Sequence, residues 1–351
     1  MTGIKESAST LEESYAEIRR RLSKRIVGMD EVIKLLFAGI FSGGHCLLVG
    51  VPGLAKTRLI SSVAQLIELD FSRIQFTPDL MPSDITGAEV IVEDKESGER
   101  NFRFLEGPIF ANIVLADEIN RTPPKTQAAL MEAMEERQVS ALGNVFPMGD
   151  PFFVLATQNP IEQEGTYPLP AAQLDRFVFN INVGYPAHDE ETEIIRMTTR
   201  PHDETLEPVL NKQQVLDLMQ AVRAMKVPEE IADYANKLTR RTRPDDPSAP
   251  AAIKKYVSFG AGPRAAQALV MGAKVFALMR GDTQPRHADI RELMHPVFCH
   301  RVLVNFLGTA DDASVEGLLN QVIESVPAPD FEPPSSKKKG FFSTLLAKVK
   351  S

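Results

Sequence analysis

An α/β fold with a parallel sheet flanked by helices, followed by a smaller all-α domain, is what this 351-residue sequence predicts. Two observations carry the expectation. Between residues 29 and 187, helical patterns alternate with short apolar runs at 46–49, 113–116, 152–156 and 177–183, the pattern of βαβ units. From about 205 to 325 the apolar spacing is helical throughout, with Val215, Leu218, Met219 and Val222 on one face and residues 264–279 forming another helix.

The ends complete the plan. Leu11, Tyr15, Ile18 and Leu22 recur at helical spacing, so residues 7–24 read as an amphipathic helix closed by Ile26-Val27-Gly28. The expected division is a helix over 1–25, an α/β core over 26–190, a helical domain over 205–326 and a Pro/Lys-rich segment over 327–351. Two cysteines, Cys46 and Cys299, argue against a disulfide framework and fit a reducing compartment. The start has no apolar secretory core and no run nears the roughly 20 apolar residues that span a bilayer, so a cytoplasmic location is expected. The net charge of −8 becomes −13 over residues 1–332, because five lysines and no acid follow. An acidic body repels nucleic-acid phosphate, which lowers the expectation of a DNA-binding role.

The chemistry begins after the first apolar run. Gly50-Val51-Pro52-Gly53-Leu54-Ala55-Lys56-Thr57-Arg58 follows Cys46-Leu47-Leu48-Val49 and leads into a helix. Such a loop aims backbone N–H groups at the α- and β-phosphates of ATP, with Lys56 reaching the β/γ oxygens and the Thr57 hydroxyl ligating Mg²⁺. Ala55 departs from the glycine this pattern asks for, and a methyl group there restricts the backbone.

A second apolar run ends in Asp117-Glu118. Carboxyl ends of strands are where such sheets place ligands; Asp117 suits the Mg²⁺ shell and Glu118 suits polarising a water for attack on the γ-phosphate. Taken alone, the pair also reads as a solvated acidic turn. Asn159, after the next apolar run, has the chemistry to orient that water, or serves as a turn former before Pro160. Arg176, in Leu174-Asp175-Arg176-Phe177, and Arg264, after Gly262-Pro263 at a helix start, are candidates to stabilise charge on a γ-phosphate. Considered singly, each is equally read as a local ion pair or an exposed helix residue.

The series Gly50 to Thr57, Gln75-Phe76-Thr77-Pro78-Asp79-Leu80-Met81-Pro82-Ser83-Asp84 with Thr86-Gly87, Asp117-Glu118-Ile119-Asn120-Arg121, Gln173-Leu174-Asp175-Arg176-Phe177 and Gly262-Pro263-Arg264 resembles the MoxR family of AAA+ ATPases, over about residues 8–325. That family's form of the loop usually carries the alanine found at position 55. The resemblance implies a five-stranded parallel sheet, a helical lid and an ATPase using ATP and Mg²⁺. It implies that Lys56 and Thr57 bind phosphate and metal, that Asp117 and Glu118 form the second acidic motif and that Asn159 is the first sensor. It further implies that Arg176 is a finger reaching a neighbouring subunit, Arg264 the second sensor and Val27-Gly28 the loop against adenine. A homo-oligomeric ring, most often a hexamer, follows from a finger that works on its neighbour.

Members of this branch carry a hairpin inserted in the second core helix. Residues 88–107 suit it: Val90, Ile91, Val92 and Phe102, Phe104 flank a turn at Lys95-Glu96-Ser97-Gly98-Glu99. Its six acids (Glu89, Glu93, Asp94, Glu96, Glu99, Glu106) outnumber Lys95, Arg100 and Arg103, whereas an element tracking a polyphosphate should be basic. A protein client is therefore preferred. The implied activity is remodelling, activation or cofactor insertion in partner proteins, among them one with a von Willebrand factor A domain. A nucleotide-gated scaffold with little turnover and a DNA-remodelling motor are the alternatives.

The tail stands outside the family pattern. Lys337-Lys338-Lys339 precedes Phe341, Phe342, Leu345, Leu346 and Val349, a basic amphipathic segment with the composition for peripheral contact with an anionic membrane through residues 337–351, or for a solubilising tail. His45-Cys46 and the group His295, Cys299 and His300 read as packing residues rather than metal ligands.

Overall fold

In the computed structural model, residues 2–93, 100–141, 143–161, 165–199 and 205–328 are described. The hairpin turn at 94–99 and the basic tail lie outside the described residues. The first half of the chain runs α1 (Thr2–Leu22), α2 (Asp30–Ser42), β1 (His45–Val49), α3 (Lys56–Leu66), β2 (Phe71–Gln75), α4 (Pro82–Thr86), β3 (Gly87–Glu93), β4 (Arg100–Glu106) and β5 (Ile113–Asp117). It continues through α5 (Pro124–Glu136), β6 (Gln138–Ala141), β7 (Asn144–Pro147), β8 (Phe153–Gln158), α6 (Ala171–Leu174), β9 (Phe177–Asn182) and α7 (His188–Thr198). Then come α8 (Lys212–Ala224), α9 (Glu229–Arg240), α10 (Ala251–Tyr256), β10 (Val257–Phe259), α11 (Pro263–Met279), α12 (His287–Glu292), α13 (Met294–Phe298), β11 (Leu303–Val304), α14 (Phe306–Ala310) and α15 (Val315–Ser325).

The sheet is five-stranded, in the order β2-β5-β8-β1-β9, and every pairing is parallel. Four strands are the apolar runs read from the sequence. The fifth, β2, escaped that reading because Phe71-Ser72-Arg73-Ile74-Gln75 is an edge strand in which only Ile74 is buried. Alternate residues face opposite sides, as the pleat requires. Cys46, Leu48, Leu115, Leu155 and Phe179 join one core, and Leu47, Val114, Ala116, Val154 and Ala156 join a second with α5.

The register fixes one edge of the sheet as the site. Val49 pairs with Gln158 and Asn182, and Gln75 with Asp117, so the strand ends lie together. In α2, Asp30 and Glu31 occupy the first turn, where they complement the helix dipole, and Gly43 closes it at φ 73°. The α1 stripe Leu11, Ile18 and Leu22 is fully buried, each such side chain contributing about 1.5–3 kcal/mol. It packs on α3, α8 and α11, and the first core therefore runs without a break from the sheet into the C-terminal helices. At Gly272 of α11 a Cβ would lie 2.7 Å from a Leu293 methyl and 2.8 Å from the tip of the Phe179 ring, so a side chain there would have to displace both.

The expected hairpin is present, with Gly87 opposite Glu106 and Glu93 opposite Arg100. The antiparallel pair β6–β7 has no counterpart in the sequence reading; Phe104 of β4 stacks on Phe146 of β7 at 4.1 Å between centroids. The region expected to be wholly helical also contains a short antiparallel pair, β10–β11. Strands of three and two residues are too short to leave a period in the sequence.

Candidate active site

The loop from β1 to α3 is shaped by its backbone. At Gly50 a Cβ would sit 2.4 Å from the Val183 carbonyl oxygen, so only glycine fits. Gly53 has φ 84° and Ala55 φ 53°, both left-handed. For an L-residue that conformation costs about 1 kcal/mol, so Ala55 keeps the glycine-like turn with some strain rather than abolishing it. Lys56 then opens an 11-residue helix with no acidic side chain in its first turn, a free N-terminus of the kind that receives phosphate. Pro52, Gly53, Ala55 and Arg58 are exposed, while Leu54 packs partly on the core. The Lys56 ammonium donates to the Gly50 carbonyl; burial lowers its pKa, against Asp117 and Glu118, which raise it.

Asp117 and Glu118 end β5 one strand away, across β8. Thr157 of β8 ties them together: its hydroxyl donates to Asp117 Oδ1 at 2.6 Å and accepts the Glu118 N–H at 2.8 Å. Glu118 has φ 58°, a strained backbone of the kind that collects at active sites. Gln75 Nε2 donates to Glu118 Oε2 at 2.8 Å, and Arg121 reaches the same oxygen at 3.1 Å. Arg73 donates to Asp117 Oδ2 through Nε at 3.0 Å and a terminal nitrogen at 2.7 Å. Asn159 is buried, its Oδ1 accepting the Ile161 N–H at 3.2 Å. A hydroxyl (Thr57) and a largely enclosed carboxylate (Asp117) are hard oxygen donors beside an open phosphate cradle, so these residues fit a nucleotide with Mg²⁺. Val27-Gly28 turns at φ 75° against α7, where a Gly28 Cβ would lie 2.7 Å from the Glu190 carboxylate.

Arg176 and Arg264 are elsewhere. Phe177 pairs with His45, the first residue of β1, which puts Arg176 at the opposite end of the sheet from the loop. Five residues of strand make about 16 Å of separation. There a cleft of about 320 Å³ is lined by Glu135, Asp175, Arg176, Arg264 and Arg301. Glu135 of α5 accepts from Arg176 and, at 3.3 Å, from Arg264. Arg301 is buried and donates to Asp175 Oδ1 at 2.8 Å and to the carbonyls of Asp175, Phe177, Val178 and Val297. The predicted residues thus fall into two groups, Lys56, Thr57, Asp117, Glu118 and Asn159 at one end and Arg176 with Arg264 at the other. The sequence alone assigns no role to Arg73, Gln75, Thr157, Glu135 or Arg301. Gln75 lay inside a quoted motif, but only strand pairing brings it to Glu118.

A parallel sheet with a phosphate loop after β1, an acidic pair after β5 and a helical domain behind it defines an AAA-type P-loop ATPase fold. Residues 45–179 match the ATPase family associated with various cellular activities (AAA), and residues 250–321 match the AAA lid domain. Chaperone MoxR1 of Mycobacterium tuberculosis is 41% identical over 328 residues, 93% of this chain and 84% of that protein. Protein MoxR of Methylorubrum extorquens is 30% identical over 90% of this chain and 96% of its own. The crystal structure of a Cytophaga hutchinsonii protein proposed to be an ATPase superposes with a TM-score of 0.85 at 36% identity, covering 92% of this chain and 97% of that one. The chain belongs to the MoxR family of AAA+ ATPases. No helix among the described residues is long and apolar enough to cross a membrane.

Proposed function

We propose that the chain hydrolyses ATP to ADP and phosphate in a ring, typically a hexamer, whose sites are shared between subunits, and couples turnover to remodelling a protein client. The observation that carries it is the separation of the two groups. Among the described residues, Arg73 and Arg121 at the end of the sheet holding Lys56, Asp117 and Glu118 are tied to those two carboxylates, and the end holding Arg176 and Arg264 has no glycine-rich loop leading from a strand into a helix. A head-to-tail ring joins one end to the other.

The Gly50–Thr57 loop and Lys56 grip the phosphates, Val27-Gly28 borders the base and Thr57 with Asp117 holds Mg²⁺. The metal, when bound, neutralises charge on the β- and γ-oxygens. Glu118, oriented by Gln75 and Arg121, takes a proton from the attacking water as its oxygen bonds the γ-phosphorus. Asn159 steadies that water. As the bond to the β-phosphate oxygen breaks, Arg176 and Arg264 of the adjacent subunit meet the charge on the transferred group, an effect worth about 10³–10⁵ in rate for a finger arginine. The boundaries 26–190 and 205–326 are taken as those of the ATPase core and lid.

The acidic charge of the 88–107 hairpin and the name of the mycobacterial relative, a chaperone, support a protein client over nucleic acid. Activation of a partner with a von Willebrand factor A domain, or cofactor insertion into one, rests on family analogy, and peripheral membrane contact rests on the pattern of residues 337–351. Glu118→Gln tests the core of the proposal: nucleotide binding and assembly persist while hydrolysis is lost, whereas Lys56→Ala weakens binding. Unchanged turnover in Glu118→Gln would reject an ATP-hydrolysing motor in favour of a nucleotide-gated scaffold.

A further inference from the structure

The cleft at the far end of the sheet contains an unusual counter-ion. Glu135 lies in the last turn of α5, Arg176 immediately precedes β9 and Arg264 is in the first turn of α11. One carboxylate spans both arginines, Oε2 accepting from Arg176 and Oε1 from Arg264 at 3.3 Å. The two guanidiniums belong to elements that share no hydrogen-bond ladder, and Glu135 is the carboxylate that bonds to both. Arg264 has a second, looser partner in Asp175 at 3.6 Å, and Asp175 is itself held by buried Arg301.

Three features point away from a merely structural ion pair. A cation in the first turn of a helix is electrostatically misplaced, because that end of the dipole is positive. The Nε of Arg176 is buried without a hydrogen-bond partner, so the guanidinium is only partly satisfied by Glu135. Arginine is suited to planar, forked recognition of carboxylate and phosphate alike, and the two oxygens of a carboxylate are spaced much as two oxygens of a phosphoryl group. An arginine pair shaped around Glu135 is therefore shaped for a γ-phosphoryl group. The two arginines hold the Glu135 carboxyl below the usual carboxylate range, Arg176 having the larger effect, so it stays ionised and keeps the pair together at neutral pH.

We propose that Glu135 is a positioning residue: it sets the spacing of Arg176 and Arg264 within one subunit and yields both to the γ-phosphate bound by the next. This rests on the shared-site reading above. Without its charge, Arg176 loses this counter-ion and Arg264 keeps only Asp175, which Arg301 already holds, so the pair splays apart.

The test uses full-length protein and ATP. Glu135→Gln is expected to lower kcat roughly 10- to 100-fold, as displacement of positioning groups does, with KM and nucleotide affinity within about twofold of wild type. Glu135→Asp, which keeps the charge, recovers part of the loss. A merely structural contact would not produce the mixing pattern that follows. Glu135→Gln subunits mixed with Glu118→Gln subunits regain turnover, because sites with an intact loop on one side and intact arginines on the other re-form. Glu135→Gln mixed with Arg176→Ala gains nothing beyond the residual turnover of Glu135→Gln itself, since both lesions fall on the same side. Wild-type kcat in Glu135→Gln, an affinity loss matching the kcat loss, or recovery with Arg176→Ala instead of Glu118→Gln overturns the assignment. The reference mixture of Arg176→Ala with Glu118→Gln separates the two failures. If it recovers and the Glu135→Gln mixture does not, the role of Glu135 falls alone; if neither recovers, the shared site falls with it.

Discussion

Acid should weaken this fold through two buried histidines. His45, at the start of β1, accepts the Val154 N–H at Nδ1 and faces the Met134 carbonyl through Nε2, 3.2 Å away. His300 meets the Phe177 carbonyl through Nε2 at 2.9 Å. Burial pushes His45 down from 6.5 to about 4, with a smaller effect of Arg137 in the same direction, and burial with the neighbouring Arg301 pushes His300 to about 3. Above pH 6.5 both side chains are neutral in folded and unfolded chains alike and their contribution is constant. Below it the unfolded chain takes up protons first, so stability falls as pH drops from 6.5 toward 4 for His45 and toward 3 for His300. At 1.36 kcal/mol per unit, pH 5 removes about 2 kcal/mol for each histidine, about 4 kcal/mol together. For a chain of this length that is a fall in Tm of roughly 5 °C. Thermal unfolding followed by circular dichroism at pH 7.5 and 5.0 measures it, and His45→Gln with His300→Gln should flatten the difference whatever either costs at neutral pH. A wild-type Tm unchanged over this range, or an equally steep fall in the double variant, would refute the linkage.

Other perturbations give distinct outcomes. Arg301→Met removes a buried cation that joins the end of α13 to the start of β9, and should cost about 3 kcal/mol in urea unfolding, because breaking a buried pair usually costs 3–5 kcal/mol and Asp175 retains solvent and Arg264; a loss under about 1 kcal/mol would contradict it. Ala55→Gly should leave stability within about 1 kcal/mol, relief of left-handed strain being offset by chain entropy, and Ala55→Val should cost about 2 kcal/mol with weaker nucleotide binding. Equal stability of those two variants would mean that the φ of 53° carries no strain. Arg73→Met frees Asp117 Oδ2, so the Mg²⁺ concentration giving half-maximal binding of a fluorescent ATP analogue should fall severalfold; a rise would mean that Arg73 orders the metal site instead of competing for it.

How far the sequence reached follows from how local each feature is. Cys46 to Val49 and Ile113 to Asp117 announce their strands because fully buried parallel strands are continuous apolar runs. Arg73 and Gln75 hide β2 because an edge strand can spend its alternate positions on the site. The phosphate loop is legible because its residues are consecutive. Thr157 is invisible as a site residue since it acts only through the pairing of β5 with β8, and Glu135 since its partners lie 41 and 129 positions away. Motif resemblance named Arg176 and Arg264 without showing where they sit. Their place at the far end of the sheet comes from the Phe177 to His45 pairing and from the contact of α11 with β9.

The central claim is that each ATPase site is built from two subunits. The most direct measurement is steady-state ATP hydrolysis by mixtures of Arg176→Ala and Glu118→Gln subunits, each inactive alone. In an equimolar random mixture about one quarter of the interfaces combine an intact loop and acidic pair with an intact arginine pair, so turnover should return to about one quarter of wild type. No recovery at any ratio, with ring assembly confirmed by light scattering, would contradict the account.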